Sequence, residues 1–323
     1  MATPDGAGGV IIAWTDRRSV PSAIYAVRLS AGGAVAPGWP SNGRPATQSS
    51  AGQYGPAIVP DGAGGAILAW GDKRGGAATG VDVYAQHITA SGATAPGWPA
   101  DGLPVCRAPY YQGPPVMCSD GAGGAYVAME NGSAGSKGIV SVTRMSGAGA
   151  FAPGWSECGV AFGDGTSHES DPQIALDDGG GVLVVWSDWR LGGPGAPDIM
   201  AARVTPSGTL DAGWGGWICR AAGAQTDPVV VSDGAGGGVM AWQDGRSASG
   251  DDIYAQRMTK AGSIASGWPA DGVAVCTSPG PQFDLHMVQD GQGGAILAWS
   301  DGNSDLTDAA EIRAERISAA GAV

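Results

Sequence analysis

Three aspartates occupy the same place in successive copies of a repeated segment, each directly before a proline or a leucine: Asp171, Asp227 and Asp284. Paired carboxyl groups are the usual machinery of glycoside hydrolysis, one acting as the acid and the other as the base or nucleophile. A reaction site is asymmetric, however, and a residue that recurs from copy to copy is weak evidence for one. We therefore note this chemistry but predict no catalytic residue.

His168 is the other candidate for acid–base chemistry, because it lies between Ser167 and Glu169. The members of a catalytic triad meet in space and need not be neighbours in sequence, and no G-x-S-x-G segment accompanies this one. The chain has three histidines and no C-x-x-C pair, so it lacks the pattern of a structural zinc site. We predict no metal and no cofactor.

Amide and carboxyl side chains recur eight residues before the aspartate that opens each copy of the repeat. They are Gln53, Gln112, Glu169, Gln225 and Gln282. Each could bond the backbone of a neighbouring unit, as buried polar groups must. Together they could instead surround the mouth of a channel and bind a carbohydrate or a cation. The sequence leaves both interpretations open.

Aromatic residues that do not repeat stand in the same loops: Tyr54, Tyr110, Tyr111, His168 and Phe283. Aromatic rings beside amides are typical of surfaces that bind sugars or peptides, although exposed rings can also simply seal a loop. We predict that these residues and the five amide and carboxyl residues bind a ligand.

All of these candidate residues lie within a segment that is repeated along the chain. Segments of the type DGAGG followed by an apolar run begin at Asp5, Asp61, Asp120, Asp177, Asp233 and Asp290, about every 57 residues. The six units are residues 1–55, 56–114, 115–171, 172–227, 228–284 and 285–323. A repeat of this length indicates stacked or radially arranged units, which we predict to form one domain, residues 1–323.

Each unit divides into four short strand-like runs, typified by Pro228–Ser232, Ala66–Trp70, Asp252–Arg257 and Gly272–Cys276. The second run is apolar at every position, as in a strand covered on both faces. The third alternates between apolar and polar residues. Four strands per unit with turns at regular spacing predict an all-β fold, a six-bladed β-propeller.

Two motifs carry a family resemblance: Ser232-Asp233-Gly234 before the apolar strand, and Asp252-Ile253-Tyr254 after the D-x-R segment. The order resembles the TolB-type (PD40, WD40-like) propeller repeat and the Gly-rich repeats of large secreted bacterial surface proteins. It departs from TolB repeats in two extra turn glycines and in an inserted Gly-Trp corner. The resemblance implies a six-bladed propeller outside the cytoplasm that serves as a binding platform; fold analogy alone does not establish function.

Ten of the twelve tryptophans fall at two repeat positions, which indicates packing between units. Five end the second strand (Trp14, Trp70, Trp186, Trp242, Trp299) and five mark the Gly-Trp corner (Trp39, Trp98, Trp155, Trp214, Trp268). The five strand-end tryptophans are the first position of the motif W-x-D-x-R, where the motif is present. We expect its aspartate to accept hydrogen bonds from backbone N–H groups of the turn. We expect its arginine to pair with Asp82, Asp198 or Asp252 of the next strand.

Charge and cysteine content narrow the function classes. The formal charge of −13 argues against nucleic acid, whose binding needs a basic patch, and no apolar run is long enough to insert into a membrane. Of five cysteines, Cys106, Cys219 and Cys276 hold equivalent positions far apart, so we expect no bridges among them and interpret them as buried fillers.

The last unit ends after its third strand, so the sixth blade should have three strands with Glu311–Ile317 as its outer edge. The unpaired N–H and C=O groups of such an edge strand can pair with another copy of the chain, so we predict that the protein can self-associate through this edge. We predict a non-enzymatic extracellular or cell-surface module that binds a glycan or a protein. The alternatives are a polysaccharide-active enzyme of sialidase or lyase type and a structural segment of a longer repeat protein.

Overall fold

The computed structural model describes residues 1–18, 20–76, 80–132, 137–163, 165–190, 196–247, 250–302 and 311–323. The fold is all-β, as predicted, and has six antiparallel sheets. The chain divides into two compact units, Met1–Phe162 and Gly163–Val323, with three sheets in each. The prediction of one domain over 1–323 stays a prediction. Among the described residues there is no helix long and apolar enough to span a membrane.

The first unit holds sheets 1 to 3, each made of four strands in chain order. Sheet 1 comprises β1 (Ala2–Pro4), β2 (Val10–Asp16), β3 (Ala23–Leu29) and β4 (Arg44–Pro45). Sheet 2 comprises β5 (Gln53–Pro60), β6 (Ala66–Gly75), β7 (Gly80–Ile88) and β8 (Leu103–Cys106). Sheet 3 comprises β9 (Val116–Ser119), β10 (Ala125–Gly132), β11 (Gly138–Met145) and β12 (Val160–Ala161).

The second unit holds sheets 4 to 6. Sheet 4 comprises β13 (Glu169–Leu176), β14 (Val182–Asp188), β15 (Asp198–Val204) and β16 (Gly216–Cys219). Sheet 5 comprises β17 (Gln225–Ser232), β18 (Gly238–Asp244), β19 (Asp252–Met258) and β20 (Val273–Cys276). Among the described residues, sheet 6 comprises three strands, β21 (Gln282–Gln289), β22 (Ala295–Asp301) and β23 (Glu311–Ile317). The predicted three-stranded last sheet is confirmed; self-association along β23 stays a prediction.

The DGAGG segment forms the tight turn between the first and second strands. In sheet 2, one carboxylate oxygen of Asp61 accepts hydrogen bonds from the backbone N–H groups of Ala63 and Gly65, at 2.7 and 2.8 Å. Gly62 and Gly64 adopt φ of 75° and 85°, a backbone conformation that residues other than Gly, Asn and Asp rarely adopt. This is why the turn repeats an aspartate and glycines.

The tryptophans pack as predicted. Trp70, Trp186 and Trp242 are almost completely buried, and the indole N–H of Trp242 donates to Asp244 at 2.7 Å. The corner tryptophans reach the next sheet of the same unit. The indole of Trp98 donates to the carbonyl of Gly147 at 2.9 Å, and that of Trp214 donates to the carbonyl of Lys260 at 2.9 Å. Trp98 and Trp214 therefore tie their sheets to the next sheet of the same unit.

The expected arginine pairing is wrong. Arg74 binds Asp72 of its own motif, with 2.7 Å between Nη2 and Oδ2, and not Asp82. Arg246 likewise binds Asp244, at 2.6 Å, and not Asp252. Arg190 binds Asp188, at 2.7 Å, and not Asp198. The backbone N–H of each arginine also donates to that aspartate. A residue two positions after the aspartate meets it in a local turn, before it could reach the next strand.

The interpretation of Cys106 as a buried filler is also wrong, because Cys106 forms a disulfide with Cys158. Cys106 ends β8 of sheet 2, and Cys158 lies in the Gly-Trp corner of sheet 3, where its N–H donates to the carbonyl of Val105 at 2.9 Å. The two cysteines hold different repeat positions, which packing between neighbouring sheets brings together. Cys219 is buried and Cys276 is half-buried, and both are free thiols.

Candidate functional site

The five amide and carboxyl residues lie inside the protein, at or just before the start of the first strands. Gln53, Gln112, Gln225 and Gln282 have no exposed surface, and Glu169 has 1%. Gln53 accepts from the N–H of Ile24 in the preceding sheet at 3.0 Å and donates to Asp72 at 3.0 Å. It therefore joins sheets 1 and 2.

The other members of this set hold their own loops. The side-chain amide of Gln282 donates to the carbonyl of Gly280 at 2.7 Å, that of Gln225 to Gly223 at 3.1 Å, and that of Gln112 to Tyr110 at 3.0 Å. Glu169 pairs with Arg190 at 2.7 Å. The contact of Gln53 with Ile24 is the bond to a neighbouring sheet that one interpretation of the sequence expects, whereas the other three amides bond carbonyl groups of their own loops. Burial keeps all five side chains away from a ligand at the surface, and their role in binding stays a prediction.

Directly after them, three first strands of the second unit carry a β-bulge with an aspartate. The register of β13, β17 and β21 shifts at this point. The bulge aspartates, as we call Asp171, Asp227 and Asp284, adopt φ of 53°, 49° and 55° and are exposed to solvent. Gly55 takes φ of 61° at the same bulge of β5. Aspartate and glycine are residues that this left-handed conformation tolerates.

The bulge aspartates are close enough to affect one another electrostatically. Partial burial raises the pKa of Asp227, and the negative charge of Asp171 raises it further, with smaller contributions from Asp251 and Asp284. The amide of Gln243 donates to Asp227 at 2.9 Å. The described residues contain no group of three His, Cys, Asp or Glu side chains arranged to hold a metal ion. The carboxylate groups of the bulge aspartates can accept hydrogen bonds from a ligand.

Two of the predicted aromatic residues, Tyr54 and Tyr111, lie close together in the first unit, and Tyr110 precedes Tyr111 in the chain. Tyr110 and Tyr111 are 53% and 46% exposed, and Tyr54 is half-buried. Burial raises the pKa of Tyr54, and the nearby Tyr111 hydroxyl raises it further. The Lys73 ammonium lies 5.6 Å from the Tyr54 ring centre. We call Tyr54, Tyr110 and Tyr111 the tyrosine patch, in which Tyr110 and Tyr111 present their side chains to solvent.

The remaining predicted aromatic residues lie in the second unit. The His168 ring packs against Trp189, with 4.7 Å between ring centres, and Phe283 is 36% exposed beside Asp284. Sequence reasoning missed Trp189 and Trp217, the two tryptophans outside the repeat positions. Their departure from the repeat was the available signal, because a residue absent from the other copies is not needed for the shared packing.

No protein-family model and no curated protein matches the sequence. Solved structures do resemble it. A protein of unknown function from Dyadobacter fermentans matches with a TM-score of 0.56 and 12% identity, over 98% of this chain and 92% of that one. An α-L-arabinanase from Penicillium chrysogenum, complexed with arabinobiose, gives 0.50 and 11%, over 96% and 90%. A Hadza microbial sialidase gives 0.51 and 12%, over 93% of this chain and 62% of that chain.

The fold is a β-propeller. Six antiparallel sheets, the last three-stranded, match propeller structures along nearly the whole chain, which confirms the predicted fold class. The similarity to the TolB-type repeat remains one of motifs, since no family model matches. At 11–12% identity the comparisons establish the fold alone.

Proposed function

We propose that this propeller recognises a polysaccharide and that the bulge aspartates of the second unit contact the sugar. The observation that carries the proposal is their charge. The bulge needs only a residue that tolerates positive φ, and Gly55 meets that need in sheet 2. Three neighbouring carboxylates add a repulsion that glycine or asparagine would avoid. A ligand that donates hydrogen bonds, such as a sugar hydroxyl, explains why charged aspartate rather than glycine or asparagine occupies the three bulges.

Three further observations support a glycan as the ligand. The arabinanase and the sialidase that share the fold both act on glycans. The formal charge of −13 disfavours polyanions such as nucleic acid. The tyrosine patch and Phe283 offer exposed ring faces, and aromatic rings pack well against the apolar face of a sugar. The Cys106–Cys158 disulfide supports a location outside the cytoplasm, where disulfides persist.

Glycoside hydrolysis is a second candidate, favoured by the raised pKa of Asp227. Glycosidases pair a carboxyl group of raised pKa, which protonates the leaving oxygen, with an ionised carboxylate. Asp227 has a raised pKa and Asp171 is the carboxylate that contributes most to it after burial. Hydrolysis would appear as reducing ends released from arabinan, or as sialic acid released from sialosides, and Asp227→Asn would abolish it.

Affinity electrophoresis in gels containing neutral plant, fungal and bacterial polysaccharides tests the proposal. We expect at least one polysaccharide to retard the protein. Asp171→Asn, Asp227→Asn and Asp284→Asn should each reduce the retardation, because asparagine tolerates the left-handed conformation but carries no charge. Asp271→Asn is the matched control, since Asp271 also has positive φ, 59°, but lies in the Gly-Trp corner of sheet 5. Equal retardation of all four variants would refute the proposed site.

A further inference from the structure

The Gly-Trp corner of sheet 4 is shorter than its counterparts. In sheets 2 and 5 the tryptophan is followed by Pro-Ala-Asp-Gly, and the cysteine of the last strand comes eight residues after it, as from Trp98 to Cys106. In sheet 4, Trp214 is followed by Gly215, Gly216 and Trp217, and Cys219 comes after only five residues. The corner of sheet 4 is therefore three residues shorter in sequence than those of sheets 2 and 5.

The side chain that anchors the longer corner is missing as well. The amide of Gln86 donates to the carbonyl of Pro99 at 2.7 Å in sheet 2, and Gln256 bonds Pro269 in the same way in sheet 5. Ala202 holds the corresponding register position of sheet 4, opposite Val184, where Gln256 lies opposite Met240. The loop and its anchor are thus absent together, which indicates a single coordinated change of the corner.

The shortened corner leaves a cavity of about 140 Å³ between sheets 4 and 5. Its walls include the half-buried Trp217, the buried Trp214 and Met258, and the backbone of Gly215 and Gly216. A side chain at Gly216 would meet no atom within 4 Å of its Cβ, and the backbone there is outside the left-handed region. Gly216, which lines the cavity, therefore has room for a side chain.

We propose that this cavity binds one neutral sugar ring. Its volume is below the roughly 300 Å³ at which pockets for drug-sized ligands begin, so it suits a single ring rather than an oligosaccharide. Trp217 offers an aromatic face for the apolar side of a sugar, and the glycine backbone offers N–H and C=O groups that no side chain shields. The described residues that line the cavity carry no charged side chain, and the Arg220 guanidinium lies 5.3 Å from the centre of the Trp217 ring without lining the cavity. An uncharged lining favours a neutral sugar over a uronic or sialic acid.

The choice of a sugar as ligand rests on the proposed function, but the site is separate from the bulge aspartates. The probes are the methyl glycosides of galactose, glucose, N-acetylglucosamine and arabinose. Each is titrated into the ¹⁵N-labelled protein while the indole N–H signals of the tryptophans are followed by NMR. We expect at least one glycoside to shift the Trp217 signal saturably, and Asp227→Asn to leave that shift unchanged.

Two variants close the cavity without removing a buried group. Gly216→Leu places a side chain in the open space, and insertion of Pro-Ala-Asp after Trp214, together with Ala202→Gln, rebuilds the corner of sheet 5. Each should abolish the shift while the remaining indole signals and the melting temperature show an intact fold. The inference is overturned if no glycoside shifts the Trp217 signal, or if the shift persists in Gly216→Leu. Loss of polysaccharide retardation in Asp227→Asn with the Trp217 shift retained would show that the two sites are independent.

Discussion

At the scale of single residues, His87 is the one substitution in an otherwise constant ion pair. Five repeats use an arginine that binds the turn aspartate: Arg28–Asp5, Arg144–Asp120, Arg203–Asp177, Arg257–Asp233 and Arg316–Asp290. His87 replaces it in sheet 2, with Nε2 2.9 Å from a carboxylate oxygen of Asp61 and Nδ1 3.1 Å from the carbonyl oxygen of Gly147. Both partners are acceptors, so only the doubly protonated imidazolium satisfies both.

His87→Arg should therefore stabilise the protein, because a guanidinium can donate to both acceptors, as the arginines of the other five repeats donate to their turn aspartates. The melting temperature of His87→Arg should exceed that of the unmodified protein, measured by thermal denaturation. An unchanged or lower melting temperature would show that histidine serves the two acceptors equally well. Arg257→His is the matched reverse change.

Asp227 should reduce the stability of the protein at neutral pH. Burial and Asp171 raise its pKa, so folding disfavours the ionised form, and the cost is present above the folded pKa and disappears as the pH falls below it. Asp227→Asn should thus raise the melting temperature at pH 7, and the gain should vanish in acid. Thermal denaturation at both pH values measures this, with Asp271→Asn as control. A lower melting temperature at pH 7 would contradict the repulsion.

At the scale of elements, the repeat made the strands predictable. The apolar second strand, the DGAGG turn and the two tryptophan positions are local patterns that recur, and each appears in the structure as expected. The Cys106–Cys158 disulfide was not predictable in this way, because it joins different positions of neighbouring repeats and depends on how one corner meets the preceding sheet. The burial of the amide set depends likewise on contacts such as that of Gln53 with Ile24.

Trp242→Ala tests the packing between sheets. Trp242 is fully buried and packs with Leu183 and Val185 of sheet 4. Truncation of a buried aromatic side chain leaves a cavity, so the free energy of unfolding should fall by about 3–5 kcal/mol, measured by urea denaturation. Trp189→Ala is the control, since Trp189 is only half-buried and lies outside the repeat. Equal losses from the two variants would contradict the role of the repeated tryptophans.

The disulfide should stabilise sheets 2 and 3. It closes a loop between cysteines 52 residues apart, and cross-links of this kind typically contribute about 2–4 kcal/mol. Cys106→Ser and Cys158→Ser should each lower the free energy of unfolding by a similar amount, and a reducing agent should lower that of the unmodified protein to the same level. Cys276→Ser, which leaves the bridge intact, serves as the control. Insensitivity of the protein to reduction would argue against the bridge.

At the scale of the whole molecule, the six repeats share their turn and strand positions, and these shared positions build the sheets. The tyrosine patch in the first unit and the short corner of sheet 4 in the second break the repeat, whereas the bulge aspartates recur in three copies. The sequence could point to the tyrosines as candidates because they break the repeat. The sequence could not separate accessible candidate residues from buried ones. Gln53 is buried and Tyr54 is half-buried, although they are neighbours in the chain, because successive side chains of a strand point to opposite faces.

If the charge of the bulge aspartates serves a ligand rather than the backbone, its removal should abolish binding and leave the fold intact. Isothermal titration calorimetry measures this with the polysaccharide that retards the protein most and the triple variant Asp171→Asn, Asp227→Asn, Asp284→Asn. We expect the triple variant to be folded, to melt at or above the temperature of the unmodified protein at pH 7, and to lose binding. A stable triple variant that binds with unchanged affinity would contradict this expectation.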